Sequence, residues 1–327
     1  MKESEIIDLF KMKTGEDVIV GPGDDCAVLP GVSFDQYTVV TTDMLIEGTH
    51  FLKDQITAKQ LAKKSLAVNL SDIAAMGAQP TYVFLSLALP KEISDQWITE
   101  FALAFKNECL RQNITLVGGD TNRSSNLIVV NPVVHGTVLK KHLKTRSGAR
   151  KGDLICVTGP VGDSRAGLRL LQVQSLTSPG SDSLIKAHFE PTAQLQEGFF
   201  LGREAAVTAM MDVSDGVAAD LSKLLKSSNC EGSIQLEKIP VSSELKDFCC
   251  LTKQNVFEFA ALGGEDYVLL LTVNENNFLK LQSDFRSECG KDLICIGKIT
   301  DGSSSKVSYF LNGQNYLLKN SSFEHFE

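Results

Sequence analysis

Acidic residues beside glycine, serine or threonine recur along this chain, each time next to an apolar run. In the first such segment, residues 21–29, Asp24 and Asp25 follow Gly-Pro-Gly. The other acidic segments are Thr41-Thr42-Asp43, Asn69-Leu70-Ser71-Asp72, Gly118-Gly119-Asp120, Asp212-Val213-Ser214-Asp215-Gly216 and Gly263-Gly264-Glu265-Asp266. Each segment alone is typical of an ordinary surface turn. Their repetition predicts a single site at which several carboxylates meet.

Such a site requires cations, because neighbouring carboxylates repel each other. Two of them about 4 Å apart repel by about 4 kcal/mol at an effective dielectric constant of ~20. Carboxylate and hydroxyl oxygens suit Mg²⁺, which binds a few carboxylates together with water and substrate phosphates. The histidines, at positions 50, 135, 142, 188 and 325, form no HxxxH pair. The sequence therefore predicts magnesium rather than zinc.

Several of these residues also have a structural alternative. Ser214 and Asp215 are equally typical of the N-cap of the helix that follows. That helix start would also offer backbone N–H groups to a phosphate. Asn69 and Asp72 lie one turn apart on a predicted helix and share a face, which favours a functional role for Asp72. His50, taken alone, is more typical of a structural or surface histidine.

Strands and helices alternate irregularly, which is typical of the α+β class. The periodicity predicts helices over 58–76, 95–112, 194–207 and 217–226, and strands over 82–89, 114–117, 127–139, 154–157, 210–213, 267–273 and 293–299. Pro132 within the strand over 127–139 indicates an edge or a bulge. Asn312-Gly313 between two alternating runs predicts a hairpin.

A polar, basic, glycine-bearing segment, residues 140–153, interrupts this alternation. We place a domain boundary there, which predicts domains over 1–140 and 149–327. Arg146 lies in this segment and is by default a solvated cation. The glycine turn at 159–162 is not followed by Gly-Lys-Ser/Thr, so a P-loop NTPase is excluded and a structural turn is favoured.

The amino-acid composition limits the classes of protein to which this chain can belong. The chain has 327 residues, of which 43% are hydrophobic and 22% charged, so we expect a globular protein with two cores. The net charge of −8 argues against a nucleic-acid partner. We expect no secretory signal, because residues 1–13 alternate charged and apolar residues without a continuous apolar core. We expect no membrane span, because the longest apolar stretch, 82–89, is too short. The cysteines form no CxxC pair, which is typical of reduced thiols in the cytoplasm.

Eight motifs, in this order, resemble those of the thiamine-monophosphate kinase family. They are GPGDDCAVL at 21, TTDMLIEGTHF at 41, AVNLSDIAAMGAQP at 67, LVGGDTNR at 116, TRSGARKGD at 145, DVSDG at 212, ALGGEDY at 261 and SSFEHF at 321. The family is part of the superfamily of aminoimidazole ribonucleotide synthetase, selenophosphate synthetase and a hydrogenase-maturation protein. The aspartate motifs are common to the superfamily. IEGTHF, GGEDY and the aromatic tail resemble the narrower family.

The resemblance implies a two-domain aminoimidazole ribonucleotide synthetase-like fold. The amino-terminal domains of two chains would pair into a β-barrel, which makes a homodimer. The implied reaction is ATP-dependent phosphorylation of thiamine monophosphate to thiamine diphosphate, the last step of thiamine diphosphate biosynthesis. The phosphoryl group would pass directly between the two substrates, in line and with the assistance of Mg²⁺. No protein nucleophile is needed for such a transfer.

The resemblance also assigns roles to residues. Metal ligands would be Asp25, Thr41, Thr42, Asp43, Asp72, Asp120, Asp212 and Asp215. ATP would be bound by Gly119, Asp120, Arg146 and Ser214, and thiamine monophosphate by His50, Glu265 and Phe323. Asp120, Arg146 and Asp212 would act at the transferred phosphate.

The chain also departs from the family pattern at a few positions. Pro22 replaces an aliphatic residue, Val268 stands where Glu is frequent, and Phe323 stands where Tyr or Trp is common. Phe can still stack on a ring but cannot donate a hydrogen bond. Two alternative functions are open: another ATP-using enzyme of the superfamily, or a non-catalytic nucleotide and metal sensor.

Overall fold

The computed structural model describes Glu5, Leu9, Gly15 and residues 18–173 and 176–319. Within these residues, two mixed β-sheets each carry helices on their faces. In chain order, the first half contains β1 (Ala27–Pro30), β2 (Gln36–Thr42), β3 (Leu45–Ile46), α1 (Ala58–Ala75), β4 (Gln79–Leu89), α2 (Asp95–Arg111), β5 (Thr115–Arg123) and β6 (Val129–Leu139). Its strands run in the order β1-β2-β6-β4-β5, and β3 also pairs with β6. Only β4 and β5 are parallel among these described pairs.

Helix α1 forms where the apolar periodicity predicted it. A capping box starts the helix, because the Thr57 hydroxyl accepts from the Gln60 backbone and the Gln60 side chain accepts from the Thr57 backbone. Leu61, Leu66 and Ile73 are fully buried in the core of the first half. Burial of this apolar face fixes the helix on the sheet and thereby fixes the polar residues that it carries.

Strand β6 lies in the middle of its sheet, and its pairing with β4 has no register shift at Pro132, so the expected edge or bulge at Pro132 is wrong. On one side β6 pairs with β2 from Val133 onward and with β3 at Val129 and Val130. Asn131 and Pro132 lie between these two partners, where a missing backbone N–H breaks no ladder on that side. A proline is therefore tolerated in a central strand.

Strand β5 does not end before Gly118-Gly119-Asp120, as the sequence suggested, but continues through them to Arg123. It is an outer strand of the described sheet, and every one of its residues is exposed. Gly119 has a φ of 153°, and a Cβ there would lie 1.9 Å from the Leu85 carbonyl oxygen. Only glycine allows β4 and β5 to approach each other at this point.

The second half is built on its own sheet. In chain order it contains β7 (Leu154–Val157), α3 (Asp163–Gln172), α4 (Ser181–Phe189), α5 (Leu195–Arg203), β8 (Val207–Asp212), α6 (Val217–Ser228), β9 (Glu231–Gln235), α7 (Ser243–Thr252), α8 (Val256–Ala261), β10 (Leu269–Val273), α9 (Phe278–Cys289), β11 (Ile294–Thr300), β12 (Val307–Leu311) and β13 (Gln314–Tyr316). The strand order is β13-β12-β9-β11-β7-β10-β8. Short 3-10 turns lie at Lys140–His142, Leu236–Lys238 and Glu275–Asn277.

The two halves pack against each other through α1. Ala74 and Ala75 at its end belong to the same buried cluster as Leu201 and Met210 of the second half. A Cβ on Gly198 would lie 2.2 Å from the Ala74 carbonyl oxygen, so this contact depends on glycine. The close packing brings the end of β8 beside α1. Every helix of the described residues falls short of the length and apolar character that a membrane crossing requires.

Candidate active site

Three aspartates from distant parts of the sequence meet where the two halves join. Asp25 precedes β1, Asp72 lies on α1 and Asp212 ends β8. Each offers a carboxylate oxygen, and these oxygens lie within 4.8 Å of one another. Asp25 and Asp212 are buried, and Asp72 has intermediate exposure. We call these three residues the acid cluster.

Polar residues around α1 hold the acid cluster and its surroundings in place. The Thr41 hydroxyl donates to Asp72, and the Ser71 hydroxyl donates to Asp212 across 2.7 Å. Asn69 accepts from the backbone N–H of Asp43 at 2.8 Å. Asp43 is therefore held next to the cluster by the helix that carries Asp72.

The electrostatics of the acid cluster are unfavourable without a cation. Burial, followed by repulsion from neighbouring aspartates, raises the pKa of Asp72 and Asp212 well above the usual range. Burial also raises the pKa of Asp25, against the opposing effect of Arg146. Asp43, beside the cluster, is exposed at its surface. Loss of hydration, followed by repulsion from Asp215, raises its pKa.

The donor set of this site fits Mg²⁺. The Oδ2 atom of Asp25 is buried and has no hydrogen-bond partner among the described residues, so it is free to bind a metal. The mutual repulsion of buried carboxylates is the feature that a divalent cation removes. The group consists of carboxylates with hydroxyls beside them, which is the ligand chemistry of a hard ion.

Arg146 lies directly beside the acid cluster and is not a solvated linker residue. Its Nη2 atom is 2.7 Å from Asp25 Oδ1, and its side chain is only 19% exposed. Its backbone N–H donates to the Asp24 carboxylate at 3.1 Å. Burial and the neighbouring Asp25 carboxylate raise the pKa of Asp24 to about 6. The guanidinium is thus held at the edge of the acid cluster.

Asp215 lies at the amino-terminal end of α6, close to a lysine that the sequence analysis did not identify. Lys223 Nζ is 2.5 Å from Asp215 Oδ2 and 2.8 Å from Asp220 Oδ1. The other oxygen of Asp220 accepts from the backbone N–H groups of Asp215 and Gly216. The sequence offered one signal for this network. Asp220 is a carboxylate one turn into the helix that begins after Ser214-Asp215-Gly216.

Gly119 and Asp120 lie on β5, at a distance from the acid cluster. Asp120 is paired in register with Ser86, and Ser86 with Asn131, whose side chain accepts from the Thr42 hydroxyl at 2.9 Å. Two strand spacings, or roughly 10 Å, separate β5 from β6. The ion pairs and hydrogen bonds of the described residues do not join Asp120 to the cluster; it accepts from Thr121 and Asn122 instead.

Glu265 belongs to a different buried network. A Glu265 oxygen lies 3.2 Å from Lys64 Nζ, and another contact of 3.1 Å joins Glu265 to His188 Nδ1. Burial alone would raise the pKa of Glu265, but Lys64 and His188 lower it to about 2. Sequence reasoning missed both partners. The signal for Lys64 was its position on the apolar face of α1.

Three other residues were predicted to belong to the site: Ser214, His50 and Phe323. The Ser214 carbonyl oxygen accepts from the Glu265 backbone N–H at 2.7 Å. His50 accepts from the Ile46 backbone N–H at 3.0 Å within the turn after β3. Phe323 lies outside the described residues.

Matches to two family models place the chain among the AIR synthase related proteins. Residues 23–139 match the family model described as AIR synthase related protein, N-terminal domain, and residues 150–310 match the corresponding C-terminal domain. The HypE-HypF complex has a similar chain, with a TM-score of 0.74 over 98% of this chain, but at 18% identity this likeness shows the fold alone.

Relatives with higher sequence identity show which family of AIR synthase related proteins the chain belongs to. The thiamine-monophosphate kinase of Buchnera aphidicola from Schizaphis graminum is 37% identical over 99% of this chain and 98% of the relative. That of Escherichia coli K12 is 37% identical over 95% and 93%. The structure of AaThiL complexed with AMPPCP and TMP aligns with a TM-score of 0.85 and 32% identity over 99% of this chain and 97% of that chain. The chain therefore belongs to the thiamine-monophosphate kinase family.

Proposed function

We propose that this chain transfers the γ-phosphoryl group of ATP to thiamine monophosphate, giving thiamine diphosphate and ADP. This would be the last step of thiamine diphosphate biosynthesis. The observation that carries the proposal is the acid cluster, whose oxygens lie within 4.8 Å in a member of this family. The related structure with AMPPCP and TMP supports the same pair of substrates.

Mg²⁺ is the proposed metal. Its ligands would be drawn from Asp25, Thr41, Thr42, Asp43, Asp72, Asp120, Asp212 and Asp215. When bound, Mg²⁺ would offset the negative charge of the phosphates during transfer. The surroundings of Asp72 and Asp212 support this proposal, because burial and neighbouring aspartates raise their pKa values and a divalent cation would offset that repulsion.

Around the metal site, the residues of this chain would orient the two substrates. Arg146 would contact the transferred phosphate, since its guanidinium already lies beside Asp25. Gly119, Asp120 and Ser214 would hold ATP. His50, Glu265 and Phe323 would contact thiamine monophosphate. We place the chemistry at Asp120, Arg146 and Asp212.

No strong general base is required in this reaction. The second pKa of a phosphate monoester is about 6, so the attacking oxygen of thiamine monophosphate is already ionised near neutral pH. The contribution of the chain is to align the two phosphates and to provide positive charge where negative charge develops.

We further propose a homodimer in which the first sheets of two chains form a β-barrel. The support is β5, an outer strand of the described sheet whose residues are all exposed. A long exposed edge strand is an open template for pairing. Residues 1–140 would bind ATP and Mg²⁺ and form the dimer, and residues 149–327 would complete the site. The eight cysteines are free thiols, which supports a cytoplasmic location.

Product analysis tests the reaction. The protein is incubated with ATP, Mg²⁺ and thiamine monophosphate, and the products are separated by chromatography; we expect equal amounts of thiamine diphosphate and ADP. The Asp212→Asn variant is the matched control and should form neither. Turnover only with a formylglycinamidine nucleotide or with selenide would favour another enzyme of the superfamily. Stabilisation by ATP without its consumption would favour a sensor.

A further inference from the structure

We infer that Lys64 and His188 are positioning residues that hold the Glu265 carboxylate in one orientation for the organic part of thiamine monophosphate. The inference rests on the proposed function, in which Glu265 contacts this substrate. It concerns residues of α1 and α4 that no sequence motif identified. Neither residue is expected to touch ATP or the transferred phosphate.

The contacts are specific and come from separate elements. Lys64 Nζ lies 3.2 Å from each Glu265 oxygen and also donates to the His188 carbonyl oxygen at 3.1 Å. His188 Nδ1 lies 3.1 Å from Glu265 Oε2 and 3.1 Å from the Ser164 hydroxyl. Because an ionised carboxylate only accepts hydrogen bonds, Nδ1 must carry the hydrogen in this contact.

The Glu265 side chain remains partly exposed, whereas its two partners are buried. The side chains of Lys64 and His188 are 1% and 5% exposed, whereas that of Glu265 is 29% exposed. A carboxylate has more acceptor positions than these two donors occupy. The exposed side of Glu265 can therefore accept hydrogen bonds from a ligand while its buried side stays bound to Lys64 and His188.

The backbone of the Glu265 loop is fixed independently of this network. Glu265 has a φ of 61°, and its N–H donates to the Ser214 carbonyl oxygen at 2.7 Å. The next residue, Asp266, accepts from the backbone N–H groups of Gly162 and Ser164. Because the backbone is anchored, Glu265 can change position only by rotation of its side chain. Lys64 and His188 restrict that rotation.

The charged and titratable groups around Glu265 favour its ionised form. Lys64 faces it from α1 and His188 from α4, while Asp266 and Tyr267 follow it on its own loop. Burial and then the Glu265 charge raise the pKa of Tyr267. The pKa of Asp266 is raised to about 8, chiefly by burial. Glu265 is thus the carboxylate that Lys64 and the His188 ring stabilise as an anion.

Steady-state kinetics separates positioning from a purely structural ion pair. In Lys64→Met we expect the KM for thiamine monophosphate to rise at least about tenfold, with kcat and the KM for ATP within about threefold of wild type. Lys64→Arg keeps a buried cation and should restore most of the loss. Lys63→Met, on the adjacent half-exposed lysine that pairs with Glu190, is the matched control and should behave as wild type.

A double-variant cycle tests whether Lys64 acts through Glu265. In a Glu265→Gln background, Lys64→Met should raise the KM for thiamine monophosphate by less than about twofold, because the group it positions is already gone. Additive effects of the two substitutions would contradict the inference. Equal losses in kcat and in both KM values would also contradict it.

His188 provides a second pair of variants if Lys64→Met does not fold. His188→Asn can place an amide N–H near the position of Nδ1, whereas His188→Leu removes the donor. We expect a raised KM for thiamine monophosphate in His188→Leu and a smaller change in His188→Asn. Identical KM values in both would overturn the inference. Absence of wild-type turnover would refute the proposed function as well, whereas normal wild-type turnover with unchanged variants would refute the inference alone.

Discussion

The pKa values of carboxylates are shifted in opposite directions in two regions of this molecule. In the acid cluster, burial and then repulsion from neighbouring aspartates raise the pKa of Asp72 and of Asp212. At the Glu265 loop, Lys64 and His188 surround one carboxylate and its pKa is lowered to about 2. At the Glu265 loop the chain supplies positive charge of its own, whereas at the acid cluster we propose that Mg²⁺ supplies it.

The largest expected effect is on catalysis by the acid cluster. Asp72→Asn should lower kcat about a thousandfold, which corresponds to about 4 kcal/mol of transition-state stabilisation. The same variant should be more stable than wild type in EDTA, because one repelling charge is removed. Turnover assays and urea denaturation in EDTA measure both. A less stable Asp72→Asn protein without metal would show that the cluster is not under repulsion.

The second-largest expected effect is a loss of stability at the Glu265 network, whereas Asp72→Asn is expected to gain stability in EDTA. Glu265→Gln should lower the free energy of unfolding by about 3 kcal/mol, because it leaves the buried Lys64 cation without its anion. Adding Lys64→Met should recover at least half of that loss. Urea denaturation of the single and double variants measures this. Full additivity would show that the two residues do not compensate each other.

Metal binding should distinguish the two regions directly. At a Mg²⁺ concentration a hundredfold above its dissociation constant, the free energy of unfolding of the wild type should rise by about 2.7 kcal/mol. Glu265→Gln should show the same increment, and Asp72→Asn should show little of it. Thermal denaturation with Mg²⁺, followed by addition of EDTA, measures the increment. An equal response in Asp72→Asn would place the metal elsewhere.

The smallest effect is on the pH dependence of stability. The pKa of Glu265 lies below its usual value of 4.5, so its contribution is present above pH 4.5 and is lost as the pH falls towards about 2. The stability difference between wild type and Glu265→Gln should therefore shrink by about 1 kcal/mol or more between pH 6 and pH 3. Denaturation at both pH values measures it. A constant difference would contradict the assigned ion pair.

Local signals made parts of the fold predictable. The hairpin at Asn312-Gly313 forms as expected, with φ angles of 50° and 79° at those two residues. Helix α1 was predictable because its apolar face is long and regular. The helix α4 and the strand β9 were missed because short, partly buried elements have no strong period of their own.

The site was predictable only where its residues repeat a pattern. Asp25, Asp72 and Asp212 each stand within two residues of glycine or a hydroxyl residue, and the structure brings them together. Lys64 gave no such signal, because a lysine on an apolar helix face becomes interpretable only when the distant Glu265 is known to meet it. Contacts between residues 201 positions apart depend on tertiary packing, which local patterns do not encode.

Helix α1 carries both Lys64 and Asp72, and this has a consequence for substrate length. Eight residues at 1.5 Å each separate the two positions by about 12 Å along a rigid rod. In the proposed function, the organic end of thiamine monophosphate is held beside Lys64 and its phosphate reacts beside Asp72, so these two places would be a fixed distance apart. We expect analogues with a longer or shorter link between ring and phosphate to bind without placing their phosphate in line for transfer. The length of the helix would thus select acceptors of one length.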